Sequence, residues 1–278
     1  MLNFNRVAQV IAGPYGQDGV LIEGLDVSFS VVKTDDPKVN IMDVKVYNAA
    51  PSTRQLLETT ENTVIINAGY FGNVLQLAAG DITKGSTVMS GVDRVTSALC
   101  GDGLRALSTK RVSLSYDGAV SAQQIISDIS LALGIKVQET DADLSGKFRS
   151  GWAFVGPAKD AMTSIAKRFG LDWSVQNEEI QVTTRRGVNT KEAVLITPET
   201  GLIGHPEPLD DTREDNVDAK ELPGLRIMTL LNPLYEPGGV VVLRAKGYDD
   251  AEFRVKRVEH NGDTRGSAWH STLEVVER

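Results

Sequence analysis

The chain has 278 residues, of which 41% are hydrophobic and 24% charged, and it carries a formal net charge of −8 at pH 7. This composition is typical of a folded globular protein with a sizeable core, and the acidic charge argues against a protein that wraps nucleic acid by neutralising phosphates. Cys100 is the only cysteine, which excludes an intramolecular disulfide and a metal site built from several cysteines. We expect no signal peptide, because the start of the sequence has no basic region followed by a long apolar stretch. We expect no membrane-spanning helix, because no apolar run approaches the ~18 residues that a span requires.

The first region, to about residue 114, is predicted to be rich in β-strands. In segment 41–47 apolar and charged residues alternate, which is the period-2 pattern of a half-buried strand. A short helix is predicted over Pro51–Thr59, with Ser52 as its N-cap. The predicted strands are Val20–Val32, Ile41–Tyr47, Thr63–Gly69, Val74–Ile82 and Arg94–Cys100.

The second region, about 115–186, changes to a helical period. The spacing predicts a helix over Ser121–Leu133, with Ser121 as its N-cap and Gly134 as its stop. A second helix is predicted over Pro157–Phe169, ending at Gly170. A hairpin turning at Asn177 is predicted to follow, with strands Asp172–Val175 and Glu179–Thr184.

The third region, about 187–278, returns to strands. An acidic segment, residues 205–222, has almost no large apolar side chain and is predicted to be an exposed or mobile loop. The predicted strands are Ala193–Thr197, Leu225–Leu230, Val240–Lys246, Ala251–His260 and Ala268–Val276.

The order of patterns is therefore β-rich, then α/β, then β-rich. We predict a mainly β protein with domains at residues 1–114, 115–186 and 187–278. The pattern leaves two arrangements open: an α/β module inserted into one β domain, or two β domains flanking that module.

The sequence offers little for catalysis. A nucleophile needs a base within hydrogen-bond reach, but the chain has only three histidines and no G-x-S-x-G elbow. Acidic residues are so numerous that a pair of hydrolase carboxylates cannot be singled out by spacing. We predict no catalytic residue. The three histidines are His205, His260 and His270.

Metal and phosphate sites are also not predicted. The acids at 249, 250 and 252 are better explained by a charged hairpin turn than by a cation site, and segment 205–222 lacks the calcium-loop pattern. The glycine-bearing segments 13–19 and 101–103 match neither a P-loop nor a dinucleotide fingerprint. The pair Arg185-Arg186 is more typical of a solvated strand edge than of a nucleic-acid contact. We therefore expect no cofactor.

Seven segments nevertheless resemble, in the right order, the hub proteins of phage tails. The strongest similarity is ALCGDGLRALSTKRVSLSYDGAVSAQQIISDISLALGI (98–135), which resembles the junction into the middle domain of that family. TPETGLIGHPE (197–207) resembles part of its C-terminal pattern. The other segments that carry the resemblance are 44–58, 75–88, 151–187, 230–243 and 253–275.

The family comprises baseplate or tail-tip hub proteins of long-tailed phages and contractile injection systems. The resemblance implies two β-barrel domains like those of tail-tube proteins, with a middle α/β domain outside the ring. It implies a homotrimer in the virion, at the distal end of the tail, made in the host cytoplasm. The implied partners are the tail tube protein, the central spike and other baseplate proteins, with DNA only as passing cargo and no membrane anchor.

Three groups of residues are candidate interface residues under this reading. They are aromatic side chains of the middle module, a strand-exit turn near residue 232, and one tryptophan near the C-terminus. The candidates are Trp152, Phe154, Trp173, Leu230, Leu231, Asn232, Pro233, Pro237 and Trp269. For the tryptophans and Phe154, packing in a core is the alternative.

The sequence thus favours a structural hub that is not an enzyme. Two alternatives stay open: a small peptidoglycan hydrolase that works during phage entry, and a tail assembly chaperone absent from the virion.

Overall fold

The computed structural model describes residues 5–37, 39–102, 107, 109–138, 142–184, 187–189, 192–209 and 224–277. The described residues form a mainly β protein, as predicted, with three helices.

Most strands precede or follow a central α/β segment. The elements before it are β1 (Arg6–Pro14), β2 (Val20–Ile22), β3 (Val27–Thr34), β4 (Ile41–Tyr47), α1 (Pro51–Glu58), β5 (Asn62–Tyr70), β6 (Asn73–Ser90) and β7 (Asp93–Gly101). Those of the central segment are β8 (Arg111–Tyr116), β9 (Val120–Ser121), α2 (Ala122–Leu133), β10 (Lys136–Val137), β11 (Lys147–Phe148), β12 (Trp152–Pro157), α3 (Ala158–Phe169), β13 (Leu171–Gln176) and β14 (Glu179–Thr184). Those after it are β15 (Val194–Ile196), β16 (Leu202–Pro208), β17 (Gly224–Leu230), β18 (Val240–Ala245), β19 (Tyr248–Asp263) and β20 (Trp269–Glu277).

One large sheet joins the two ends of the chain. Its strand order is β16-β17-β20-β19-β3-β4-β7-β6-β5-β1-β2, with β18 attached to β19 and β15 attached to β18. The joint is the antiparallel pairing of β3 with β19, in which Ser30 lies opposite Asn261. Within the described residues, β2 and β16 end this order and no pairing between them closes the sheet.

The central segment packs separately around its two long helices. Its core contains Ile125, Ile129, Ile165 and Trp173, which are buried between α2, α3 and the β13–β14 hairpin. Two further cores lie under the large sheet. The core under the N-terminal strands also contains Trp269 from β20, so the two ends of the chain share apolar packing as well as hydrogen bonds.

Short-range sequence signals correctly predicted α2 and α3. Ser121 caps α2, its side chain accepting a hydrogen bond from the backbone N–H of Gln124, and Gly134 ends the helix in the left-handed region. Gly170 ends α3 in the same way. The prediction that Ser52 caps α1 is wrong. That helix follows Ala50 with no side-chain cap, and Ser52 lies within its first turn.

The prediction of an exposed or mobile loop over residues 205–222 is wrong for its first residues. His205–Pro208 belong to β16, which pairs with β17 at the border of the large sheet. The scarcity of large apolar side chains predicted a loop, but these residues form an edge strand, which tolerates its two prolines because one of its sides has no ladder partner. Residues 210–222 lie outside the described residues. Strand β1 was also missed, and β6 continues eight residues past the predicted Ile82 to Ser90.

Helix α1 covers part of the sheet through a close backbone contact. A Cβ on Gly85 would lie 2.3 Å from the carbonyl oxygen of Leu57 and 2.4 Å from Cα of Glu58. Glycine at this position therefore lets the helix approach β6, and Leu57 beside it is fully buried.

Candidate functional site

The face of the large sheet that points away from the cores is polar across strands from both ends of the chain. Side chains alternate between the two faces, so the register forms rows that cross the sheet. One polar row contains Leu230, His270, Asn261, Ser30, Asp43, Leu99 and Lys84, and another contains Asp263, Ser28, Lys45, Ser97 and Ser86. The row between them is buried and contains Trp269, Gly262, Phe29, Val44 and Ala98. We call the outward residues of β20, β19, β3, β4 and β7 the polar face.

Charges on the polar face are of mixed sign. Arg257 donates to Glu274 at 3.1 Å and to Glu259 at 3.2 Å. Lys45 lies 3.9 Å from Asp43. Both of these bases therefore have acidic partners on the same surface.

A buried polar cluster lies where the middle segment meets the large sheet. Asp102, which follows β7, accepts hydrogen bonds from the backbone N–H of Asn177 at 2.7 Å and of Glu178 at 3.0 Å. These residues form the two-residue turn between β13 and β14, and both have positive φ, 53° and 64°. Such a turn matches the twist of a hairpin, and the carboxylate of Asp102 holds both of its amides.

Two further amide side chains extend this contact. Asn40 donates to the carbonyl of Val175 at 2.9 Å and to Oε1 of Gln176 at 3.0 Å. Gln176 in turn donates to the carbonyl of Thr34 at 2.7 Å. The tip of the middle hairpin is therefore bonded to β3 and to the loop that follows it.

The side chain of Asn177 contacts both the N-terminal and the C-terminal region. Lys33 of β3 is only 1% exposed, and its Nζ donates to Oδ1 of Asn177 at 3.0 Å. The Nδ2 atom of the same Asn177 donates to Oε1 of Glu236 at 2.9 Å. We call Lys33, Asn40, Asp102, Gln176, Asn177 and Glu236 the three-way junction, because segments from all three regions of the chain meet there.

Burial shifts the protonation equilibria around the junction. The pKa of Asp102 is raised by desolvation, an effect larger than the opposing hydrogen bonds and the attraction of Lys33. Burial and, secondly, the charge of Lys33 lower the pKa of His260 from 6.5 to about 3. His260 is fully buried, and its Nδ1 lies 2.8 Å from Oγ of Ser271. The folded protein therefore holds His260 neutral.

A neutral buried histidine makes stability depend on pH. Between pH 6.5 and about 3 the unfolded chain binds a proton at His260 that the folded chain does not, so the free energy of unfolding decreases as the pH falls. We expect His260→Gln, which cannot titrate, to have a shallower acid dependence in urea unfolding measured from pH 7 to pH 4. Asp102 contributes with the opposite sign in both proteins and does not affect the comparison.

The matched control for this variant is His205→Gln, because the His205 side chain is exposed on β16. In this control, the free energy of unfolding should depend on pH as it does in the wild type. If the free energy of unfolding falls equally steeply with pH in wild type and in His260→Gln, the prediction is contradicted.

Apolar side chains at strand turns are exposed in the isolated chain. Phe71 at the β5–β6 turn is 81% exposed, and Val92 at the β6–β7 turn is 94% exposed. Beside Val92, Val88 and Met89 are also exposed. The turn end of this second hairpin is braced by Arg265, which donates to Asp93 at 2.8 Å.

The structure divides the predicted interface residues into two classes. Trp173, Leu231 and Trp269 are 2–4% exposed and belong to cores, and Pro233 and Pro237 are buried as well. Half-buried positions are occupied by Trp152, Phe154, Leu230 and Asn232.

The structure also brings some of these residues together. The rings of Trp152 and Phe154 are parallel with centroids 5.8 Å apart, and Leu231 donates to the carbonyl of Trp269. A role in subunit contacts stays a prediction for all nine candidates. In the isolated chain, the half-buried ones offer the larger accessible surface.

The three-way junction was missed by the sequence reasoning, although one signal for it exists. Lys33 continues the inward alternation of Val27, Phe29 and Val31 in β3, so the period places a lysine on the core side. Its partners come from residues far away in the sequence and carry no comparable signal.

Within the described segments, the His, Cys, Asp and Glu side chains form no group of three or more that could hold a metal ion. The helices of these segments are too short or too polar to span a bilayer.

Comparison with known proteins gives a clear result at the level of fold. No family model matches the chain, and no curated protein matches it. Solved structures of phage tail proteins do match. A 43 kDa tail protein of prophage MuSo2 from Shewanella oneidensis has a TM-score of 0.67 at 10% identity, with 98% of each chain covered.

Two other solved structures also match the fold of this chain. A tail protein from Neisseria meningitidis has a TM-score of 0.68 at 12% identity, covering 99% of this chain and 97% of that one. An E. coli component of the type VI secretion system, described as similar to the T4 bacteriophage tail proteins gp27 and gp5, has a TM-score of 0.62 at 12% identity. It covers 96% of this chain and 76% of that one. The chain therefore has the fold of phage tail proteins, as the sequence resemblance implied.

Proposed function

We propose that this protein is a structural hub of a phage tail or a related injection system, without enzymatic turnover. The observation that carries the proposal is the pairing of β3 with β19, which makes one sheet from the two ends of the chain. The shared fold with tail proteins supports a tail role. The trimer, the place at the distal end of the tail and the partners named below are parts of the proposal.

In this hub, three copies form a ring. Each copy contributes two barrel-like β units, one from each end of the chain, so that the trimer presents six units to a hexameric tail tube. An open sheet with two end strands suits such an assembly, because ring closure can cover edges that would otherwise aggregate. The end strands are β2 and β16. The other face of the ring would hold the central spike, and the middle α/β segment would lie outside it.

The polar face is the surface that we place along the DNA path. Its acids and bases are paired within the face, as with Arg257 and Glu274, and little free positive charge is left to hold phosphates. DNA would pass along it as cargo.

Copy number in purified particles tests the hub. Tails or tail-like particles from the organism that encodes this chain would be analysed by quantitative mass spectrometry against a component of known number. We expect about three copies per tail, as a threefold ring requires. About six copies or many more would indicate a wedge or tube protein, and absence would indicate an assembly chaperone.

Peptidoglycan zymography tests the lack of turnover. We expect no clearing. Clearing that disappears when one carboxylate is changed would overturn the structural assignment in favour of an entry hydrolase.

A further inference from the structure

The three-way junction aligns an amine, a carboxamide and a carboxylate. The Nζ atom of Lys33 is 3.0 Å from Oδ1 of Asn177, and Nδ2 of Asn177 is 2.9 Å from Oε1 of Glu236. The Asn177 carbonyl carbon is one bond, ~1.2 Å, beyond the oxygen that the lysine contacts. Attack on this carbon requires Nζ to move from the oxygen to a position over the carbon, at ~3–3.5 Å from it.

We propose that Lys33 and Asn177 condense into an intramolecular isopeptide bond. Nζ of Lys33, as the neutral amine, attacks Cγ of Asn177, and a C–N bond forms between them. The bond from Cγ to Nδ2 breaks, and a proton from Nζ passes through the Glu236 carboxylate to the departing nitrogen. One molecule of ammonia leaves for each amide formed, and the exchange requires neither an oxidant nor a cofactor.

The surroundings favour the neutral amine that this step needs. Lys33 is 1% exposed, and desolvation disfavours a buried ammonium. Burial raises the pKa of the Asp102 carboxyl, against the attraction of Lys33. In the proposed step this carboxylate takes the first proton of the ammonium. Asn177 itself is half-buried, which leaves ammonia a route to solvent.

The bond would connect two regions that otherwise meet only through non-covalent contacts. Lys33 belongs to β3, which pairs with β19 where the two ends of the chain join, and Asn177 lies at the tip of the middle hairpin. A covalent link here keeps that hairpin attached to the sheet under mechanical load. The inference concerns the chemistry of the junction and does not depend on the proposed hub.

Mass spectrometry of the folded, purified chain tests the proposal. After prolonged incubation at mildly alkaline pH, we expect the denatured mass to be lower than the sequence mass by one ammonia. A tryptic digest should contain a branched peptide that joins Lys33 to Asn177. Lys33→Met should restore the full sequence mass, and Glu236→Gln should slow the loss at least tenfold. Lys45→Met, which removes an exposed lysine of the polar face, is the matched control and should still lose ammonia.

Three outcomes would overturn the proposal. One is a wild-type mass equal to the sequence mass, with both residues in unmodified peptides, which would leave only a hydrogen bond. A second is loss of ammonia with Lys33 in an unbranched peptide, which would indicate a succinimide at Asn177. A third is loss of ammonia that persists in Lys33→Met. Because the wild-type peptide map is sufficient by itself, the test does not require Lys33→Met to fold.

Discussion

Asp102→Ala is expected to lower the free energy of unfolding by about 2–5 kcal/mol. The substitution removes the acceptor of two backbone N–H groups, those of Asn177 and Glu178. Each buried donor left without a partner costs ~1–3 kcal/mol. Asp102 is 3% exposed, so water does not readily replace its carboxylate. Urea unfolding at pH 7, followed by circular dichroism, measures the loss.

The matched control is Asp43→Ala on the polar face. Asp43 is partly exposed and lies 3.9 Å from an exposed lysine, so its removal should change stability by no more than ~0.5 kcal/mol. Hydrogen exchange gives a second readout, since Asp102→Ala should expose the amides of Leu171–Thr184 before those of the large sheet. Equal losses in the two variants would mean that Asp102 does not hold the hairpin.

Trp269→Ala is expected to lower the free energy of unfolding by about 3–5 kcal/mol. This is the usual range for removing a large aromatic side chain from a core. Trp269 is 2% exposed, and its ring makes an edge contact with Phe29 at a centroid distance of 5.7 Å. Arg6 lies over the same ring, also at 5.7 Å. The variant should therefore unfold at lower urea as an isolated chain, whether or not other copies are present.

Phe71→Ala is the control for this substitution. Phe71 is also aromatic but 81% exposed, and its truncation should change the stability of the isolated chain by less than ~0.5 kcal/mol. If Trp269 acts only as an anchor between subunits, the result reverses. Trp269→Ala would then leave the isolated chain as stable as wild type and would weaken only the assembly.

Both variants act where regions distant in the sequence meet. The hairpin of the middle segment is fixed to the sheet through Asp102, and β20 is fixed to the N-terminal core through Trp269. The junction and the shared core therefore tie these regions together. In the proposed hub, they would let the regions move as one under load.

Two features of the three-way junction could be predicted from the sequence. The hairpin around Asn177 was predicted correctly, and the alternation in β3 places Lys33 inward. The contact between them was not predictable, because 143 intervening residues separate the two and a hydrogen bond of this kind leaves no periodic trace.

The sequence by itself determined the local elements, since their signals lie within a few residues. The cap at Ser121, the stops at Gly134 and Gly170, and the alternation in Ile41–Tyr47 all act over one or two turns or one strand. The motifs in chain order also identified the tail-protein fold. Tertiary structure alone decided that β3 pairs with β19, that the proline-bearing β16 is a strand, and that Trp269 is buried. Each of these depends on a partner far away in the chain, and the free energy that selects a partner comes from burial and hydrogen bonding, which form only when the segments meet.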